Sequence, residues 1–180
     1  MATRLIAITG KARSGKDTIA KHLWAHHGYT RIALADPIKL AAQDMFGLTA
    51  EQTWDADLKE IVIDYWGLSP REMFQQVGSN AMKPIFGDAV WFKRWLLSYG
   101  PLALTDDIVV PDVRFDDEAT ALLDYGAKII EVIRGEKLVG HTAEHESEAG
   151  LTIRPHFIIS NDGTIEELIA KVEQIMGELA

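Results

Sequence analysis

The sequence contains no cysteine, which excludes a disulfide framework and any thiolate metal site. It has no apolar run as long as a membrane span, and its first residues lack the apolar stretch of a secretion signal. Positive charge is scarce: 18 Lys and Arg stand against 27 Asp and Glu, a net charge of −9. That balance argues against broad binding to duplex DNA or another nucleic-acid polymer, and against an anionic membrane surface. A small anionic ligand stays compatible, since it needs only a local cluster of basic residues. No internal repeat or low-complexity segment is visible. What remains is a 180-residue chain of ordinary hydrophobic (47%) and charged (25%) content, the size of one domain with its own core. Without thiols it suits a reducing cytoplasm, which is the expected location.

Against these absences stands Gly10-Lys11-Ala12-Arg13-Ser14-Gly15-Lys16-Asp17-Thr18, with apolar Leu5 to Ile8 leading in and a helical pattern from Thr18 to Trp24 leading out. The spacing G-x-x-x-x-G-K is that of a phosphate-binding loop. Gly10 and Gly15 let backbone N–H groups turn inward, and the helix start adds partial positive charge. Lys16 supplies a mobile cation for the terminal phosphates of a nucleotide. Asp17 stands where the pattern has Ser or Thr. The strand–loop–helix setting favours this reading over a Gly-rich turn with no ligand.

Leu5–Thr9 reads as a buried strand. The next helix has Ile19, Ala20, Leu23 and Trp24 on one face and stops near Gly28. His22, His26 and His27 read as a solvated face near a helix end that favours cations. Tyr29–Ala35 reads as a second strand, ending at Asp36-Pro37 as N-cap and first helical residue. That helix carries Ile38, Leu40, Ala41 and Met45 and stops near Gly47. Lys39 falls in its first turn, where the dipole disfavours a cation, so it is either solvated or faces an anion. Residues 48–68 show little periodicity; Thr49 opens a short helix, and Trp54 and Trp66 read as packing rather than pocket walls.

Ser69-Pro70-Arg71-Glu72 forms a capping box, starting a helix through Met73, Phe74, Val77 and Ala81. Arg71 is a second cation in a first turn. It either pairs with Glu72 or another carboxylate or contacts a phosphate, and its planar fork favours the phosphate. Gln75 shares its face at i+4, placed to read a base edge. Gly78 inside the helix points to a close approach by another element or a ligand. A further helix from Asp88 to Tyr99 buries Trp91, Phe92, Trp95 and Leu96, leaving Lys93 and Arg94 solvated.

Ile108–Val110 reads as a central strand that Pro111 ends, putting Asp112 and Arg114 just past its carboxyl end, where ligands sit in open α/β sheets. An acid after such a strand resembles the metal-assisting acid of nucleotide-binding proteins. A helix with Phe115, Ala119, Leu122 and Leu123 follows, then a strand at Lys128–Ile133. The polar stretch Arg134 to Pro155 reads as a lid or mobile segment. Within it His141-Thr142-Ala143-Glu144-His145 matches H-x-x-E-H, a zinc-protease pattern that needs a helix. Gly140, crowded acids and the lack of an apolar face disfavour that helix, leaving a polar lid that touches phosphates or a solvated loop. Phe157–Ile159 is the fifth strand. Asn161-Asp162-Gly163 turns the chain, and Thr164 with Glu167 caps a last helix carrying Ile165, Leu168, Ile169, Val172 and Met176. The alternation predicts an α/β three-layer sandwich of the P-loop NTPase type, a five-stranded, mostly parallel sheet with helices on both faces and a lid insertion.

In sequence order these segments resemble the deoxynucleoside monophosphate kinases of tailed bacteriophages. The likeness runs through Arg13–Thr18, Pro37-Ile38-Lys39, Arg71 with Gln75 and Gly78, and Val110-Pro111-Asp112-x-Arg114. It continues in His145-x-x-Glu148-Ala149-Gly150-Leu151, Ile153-Arg154 and Asn161-Asp162-Gly163-Thr164. Asp17 after the loop lysine is shared with that family. The resemblance implies a single kinase domain over 1–180, with a substrate-binding helical region at about 36–100 and a lid at about 134–155. It implies transfer of the γ-phosphate of ATP to a deoxynucleoside monophosphate, in support of phage DNA precursor synthesis, with Mg2+ as cofactor.

By the same resemblance, Gly10, Lys11, Ser14, Gly15, Lys16 and Thr18 cradle the ATP phosphates, and Asn161 and Gly163 border the adenine. Asp17 and Asp112 hold Mg2+, directly or through water. Lys39, Arg71 and Arg114 grip the acceptor phosphate, with Gln75 near its base. Arg13, Arg134 and His145 close over the transferring group, and Glu148 orients a lid side chain. Phosphomevalonate kinases of animals are similar in the loop and around Asp112-x-Arg114, so a small-metabolite kinase of that or the dephospho-coenzyme A type is the nearest rival; a nucleotide-dependent binding module is another. The Trp-rich stretch 54–95 reads as core packing or as a homodimer contact.

Overall fold

The computed structural model describes residues 4–135 and 150–179. Strand β1, Leu5–Thr9, is buried at every position, as a strand covered on both faces must be. Helix α1 follows at Lys16–His27, then the short strand β2 at Thr30–Arg31. Helices α2, Asp36–Phe46, α3, Ala50–Trp54, and α4, Pro70–Gln75, come next. A π-helical stretch, Gln76–Met82, continues α4 into α5, Lys83–Phe86. Helix α6 is Val90–Tyr99, β3 Ile108–Val110, α7 Asp116–Asp124 and β4 Lys128–Ile133. Strand β5, Phe157–Ser160, and helix α8, Ile165–Leu179, complete the described elements.

Two compact units emerge: the stretch to Ala33 together with that from Leu96, and residues 34–95. In the first, the described strands form one sheet in the order β2-β3-β1-β4-β5, with every pairing parallel. The crossover from β1 to β2 moves one way along the sheet and that from β3 to β4 the other. Right-handed crossovers therefore put α1 and α7 on opposite faces. The neighbouring carboxyl ends of β1 and β3 become a switch point, the ligand position in such sheets. Ile19 and Leu23 of α1 and Leu168 and Val172 of α8 pack with Ile8 and Ile130 of the sheet, all at most 2% exposed. Each such side chain contributes about 1.5–3 kcal/mol by leaving water.

Trp24, expected on this face, is 60% exposed. The stripe of Lys16, Ile19, Ala20 and Leu23 is narrow, and Trp24 lies about 90° around the helix from its centre. His22 and His27, expected in solvent, instead reach α8: their Nε2 atoms lie 2.5 and 2.8 Å from Glu173 Oε1. The second strand is shorter than Tyr29–Ala35, although Ile32 N still donates to Val109 O.

In the second unit, Ala35 rather than Asp36 is the N-cap of α2, and Asp36 pairs with Lys39 one turn on. Leu40 and Met45, expected on a packed face, are exposed. Capping boxes at Thr49/Gln52 and Ser69/Glu72 start α3 and α4, the latter as its sequence requires. The single helix expected through Ala81 is an α–π–α run. A Cβ on Gly78 would stand 2.9 Å from Ile38 Cδ1, so the glycine permits a close approach of α2. Its carbonyl accepts a buried hydrogen bond from Trp91 Nε1 at 2.8 Å. Trp54 and Trp66 are 45% and 42% exposed; Trp54 carries the Lys39 ammonium over its ring, and Trp66 donates to Phe46 O.

Candidate nucleotide site

The loop between β1 and α1 is shaped by three left-handed residues, Gly10, Arg13 and Gly15. At Gly10 a Cβ would lie 2.3 Å from Val132 O, and at Gly15 2.6 Å from Asn161 Nδ2, so neither position admits a side chain. Arg13 has a φ of 61°, unusual outside glycine and the mark of a loop held by its surroundings. Such alternation turns successive N–H groups to one side and forms an anion-binding concavity. Lys16 is 7% exposed, and its ammonium donates to the carbonyls of Gly10 and Lys11 at 2.7 and 2.6 Å, folding the cation over the loop. Ser14 Oγ is buried with no hydrogen-bond partner among the described residues. A hydroxyl in that state costs about 1–3 kcal/mol unless a ligand oxygen meets it.

The turn after β5 braces this loop. Asn161 Nδ2 donates to Ser14 O at 2.8 Å, and Asn161 N donates to Ile133 O at 2.7 Å. Arg134, just past β4, reaches Arg13 O at 3.4 Å. A pocket of about 280 Å³ opens between these parts, with Arg13, Asp17, Thr18, Arg134 and Asn161 as its polar side. Gly15, Gly163, Ile165 and Leu168 supply the rest of the lining. Ile165 was expected in the core, yet it is 65% exposed and forms an apolar wall. Only its place in the first turn of α8, directly after the Asn161–Gly163 turn, hinted at that.

Asp17 is an exposed carboxylate, 3.4 Å from Arg31 Nη2. The register pairs Ala7 with Val110, so Asp112 lies alongside Thr9 at the entrance to the loop. Val113 N donates to Ile8 O, holding that segment to β1. Glu118, 5% exposed, accepts from Arg114 N and Phe115 N with one carboxylate oxygen and fixes the backbone that carries Arg114.

Two aspartates hold the flanks of residues 136–149. Asp162 accepts from Gly135 N at 2.7 Å, and Asp116 accepts from Thr152 N and Thr152 Oγ1. The Ser160 and Thr152 hydroxyls, aided by those amides, hold the Asp162 and Asp116 carboxyls below the usual range. His145, Glu148 and the H-x-x-E-H segment lie outside the described residues.

In the second unit, Lys39 Nζ is 3.2 Å from Asp36 Oδ1 and 4.7 Å from the Trp54 ring centre. Arg71 Nε is 2.6 Å from Glu60 Oε1, a carboxylate other than Glu72, one of the partners the sequence left open. Gln75 is half-buried at the end of α4. Lys39 and Arg71 thus each hold an acidic neighbour rather than solvent alone.

A family model described as deoxynucleotide monophosphate kinase matches residues 4–64 and 54–172. A protein of Acanthamoeba polyphaga mimivirus assigned as such a kinase is 30% identical over 93% of this chain and 93% of its own. The deoxynucleotide monophosphate kinase of bacteriophage T4 is 26% identical, over 96% of this chain and 98% of its own. Among solved structures, dephospho-CoA kinase from Campylobacter jejuni superposes with a TM-score of 0.53 at 14% identity, over 99% of this chain and 98% of that one. That last likeness is one of fold.

Proposed function

This chain belongs to the deoxynucleotide monophosphate kinase family, and from that premise we propose that it transfers the γ-phosphate of ATP to a deoxynucleoside 5′-monophosphate, yielding the diphosphate and ADP. The observation that carries the reading is the braced phosphate loop: Lys16 lies folded over it, and the buried Ser14 hydroxyl has no partner among the described residues. A triphosphate meets both needs. Its oxygens accept from Ser14 Oγ and from the inward N–H groups, and they replace two carbonyls as partners of the Lys16 ammonium. Phosphoryl transfer asks little covalent chemistry of a protein, mainly alignment and relief of charge.

Within that reaction Arg13 and Arg134 neutralise charge on the transferring group, and the pocket beside them takes the adenosine, Ile165 and Leu168 flanking the base. Asn161 holds the loop through Ser14 O rather than reading the base directly. Lys39 and Arg71 receive the acceptor phosphate, exchanging the carboxylates of Asp36 and Glu60 for it. The acceptor oxygen is already anionic, so no strong general base is needed; Asp112 orients it. Asp17 and Asp112 offer the hard oxygen donors that Mg2+ prefers, and the exposed carboxylate of Asp17 is open to such an ion. When bound there, Mg2+ would neutralise part of the charge on the nucleotide phosphates.

The related phage kinases point to the cytoplasm of an infected cell as the setting. Among the described residues no helix is long and apolar enough to cross a membrane. A homodimer contact over 54–95 is supported by the exposed Trp54, Trp66, Tyr65 and Phe86 of that stretch and is checked by mass in solution. A small-metabolite acceptor is the rival reading, drawn from the shared fold of dephospho-CoA kinase. The Lys16→Ala variant tests the mechanism common to both. It should lose about 10²–10³-fold or more in kcat, the scale of removing one charge-stabilising donor. Near-normal transfer to every monophosphate tried would overturn the assignment.

A further inference from the structure

Far from the phosphate loop, three side chains converge that the kinase reaction does not use. His22 and His27 lie on α1, five residues apart, and Glu173 lies on α8. Both imidazole Nε2 atoms meet the same oxygen, Glu173 Oε1, at 2.5 and 2.8 Å, and all three ligand atoms lie within 4.8 Å of one another. The two imidazoles are only 14% and 22% exposed, while the carboxylate is half-exposed. A third imidazole, His26, stands with its ring centre 4.6 Å from that of His22.

One carboxylate is sufficient partner for one imidazole; two rings on one oxygen form a donor set of two nitrogens and a carboxylate. In tetrahedral zinc, with bonds of about 2.0–2.2 Å, neighbouring ligand atoms stand about 3.3 Å apart. The two N···O spacings would need to open by less than about 1 Å to admit an ion. The cluster lies in the last turns of α1, where the helix dipole favours positive charge. Imidazole donors favour zinc, copper, nickel or cobalt over magnesium or calcium. His27 is eleven residues beyond Lys16, about 16 Å along the axis, so an ion there takes no part in phosphate chemistry.

We propose that His22, His27 and Glu173 form a binding site for a divalent transition cation of the zinc class, which staples the end of α1 to α8. The position gives the staple a consequence. The first turn of α1 and the first two turns of α8 both line the nucleotide pocket, and the ion would tie the same helices together further along. Water, or His26 after a rotamer change, completes the shell.

The test uses the full chain, stripped with chelator and titrated with Co2+, read by the visible d–d bands of tetrahedral cobalt and by Tm. One equivalent should bind, be displaced by Zn2+, and raise Tm. In His22→Ala/His27→Ala the bands and the Tm rise should vanish, while Mg-ATP still raises Tm, which shows that the variant is folded. Glu173→Gln should weaken Co2+ at least tenfold without loss of fold. Absence of cobalt bands in the native chain would overturn the proposal. So would bands that survive the double histidine change, or that are lost instead in His141→Ala/His145→Ala. None of these outcomes depends on which acceptor the kinase uses.

Discussion

At the scale of single residues, Asp17 sets this loop apart. Where most phosphate loops place a hydroxyl to meet Mg2+, this chain places a carboxylate, exposed and bridged only at 3.4 Å by Arg31. Asp17→Ser restores the common pattern and removes a charge. It should shift the Mg2+ dependence of turnover to higher concentration by about tenfold, as loss of one anionic oxygen donor implies; an unchanged Mg2+ curve removes Asp17 from the metal site. Tyr29 makes a second residue-level case. Its ring is buried below the Arg4 guanidinium, and its hydroxyl is buried with no hydrogen-bond partner among the described residues. Burial pushes the phenol up to about 12.

The folded chain therefore holds that proton more tightly than the unfolded chain, whose phenol titrates near about 10. Stability from this group is complete below about pH 10 and is lost as pH rises from there towards 12. Tyr29→Phe removes a hydroxyl that satisfies nothing, so at pH 7 it should leave stability unchanged or raise it by up to about 1 kcal/mol. It should also flatten the alkaline fall. Urea unfolding at about pH 7, below the window, and at about pH 11, inside it, reads both, and a loss above about 1 kcal/mol at pH 7 would reveal a partner for the hydroxyl.

At the scale of elements, what the sequence disclosed was local. Ser69 with Glu72 and Thr164 with Glu167 announce helix starts three residues long, and both boxes form. Pro111 ends β3 because a proline cannot donate within a parallel sheet, and Val110 is its last residue. What stayed hidden depends on partners distant in the chain. Within the π-helical stretch after Gln75, Gly78 O accepts from an indole thirteen residues on, and no periodicity encodes that. The Glu60–Arg71 pair arose in the stretch with least pattern. The bridge from His22 to Glu173 spans 151 positions.

The π-helical stretch has its own test. Trp91→Phe keeps most of the buried ring but removes the indole donor to the Gly78 carbonyl, which should cost about 1–3 kcal/mol. Equilibrium unfolding measures it; a cost below about 0.5 kcal/mol would mean that the carbonyl is satisfied by a backbone amide or by water.

For the whole molecule, the architecture was legible because one periodicity, buried strand then helix, repeats along the chain and admits few parallel topologies. That the loop residues and the turn after β5 share one pocket was legible for the same reason. Gly15, Asp17 and Thr18 lie in the loop and first helical turn after β1, Asn161 and Gly163 in the turn after β5, and the sheet brings them to one pocket with Arg13 and Arg134. Ile165 escaped, since an apolar residue in a first turn reads as core until its neighbours are known. The acceptor side was less legible, because Lys39 and Arg71 carry no spacing that distinguishes a phosphate contact from an ion pair.

The identity of the acceptor is therefore the point on which the functional reading turns. ADP release with Mg-ATP, measured across deoxynucleoside and ribonucleoside monophosphates, phosphomevalonate and dephospho-coenzyme A, addresses it directly. Turnover with one or more deoxynucleoside monophosphates, and none with the two metabolites, is the predicted result. Release that needs a metabolite, or that proceeds equally with no acceptor present, would contradict it.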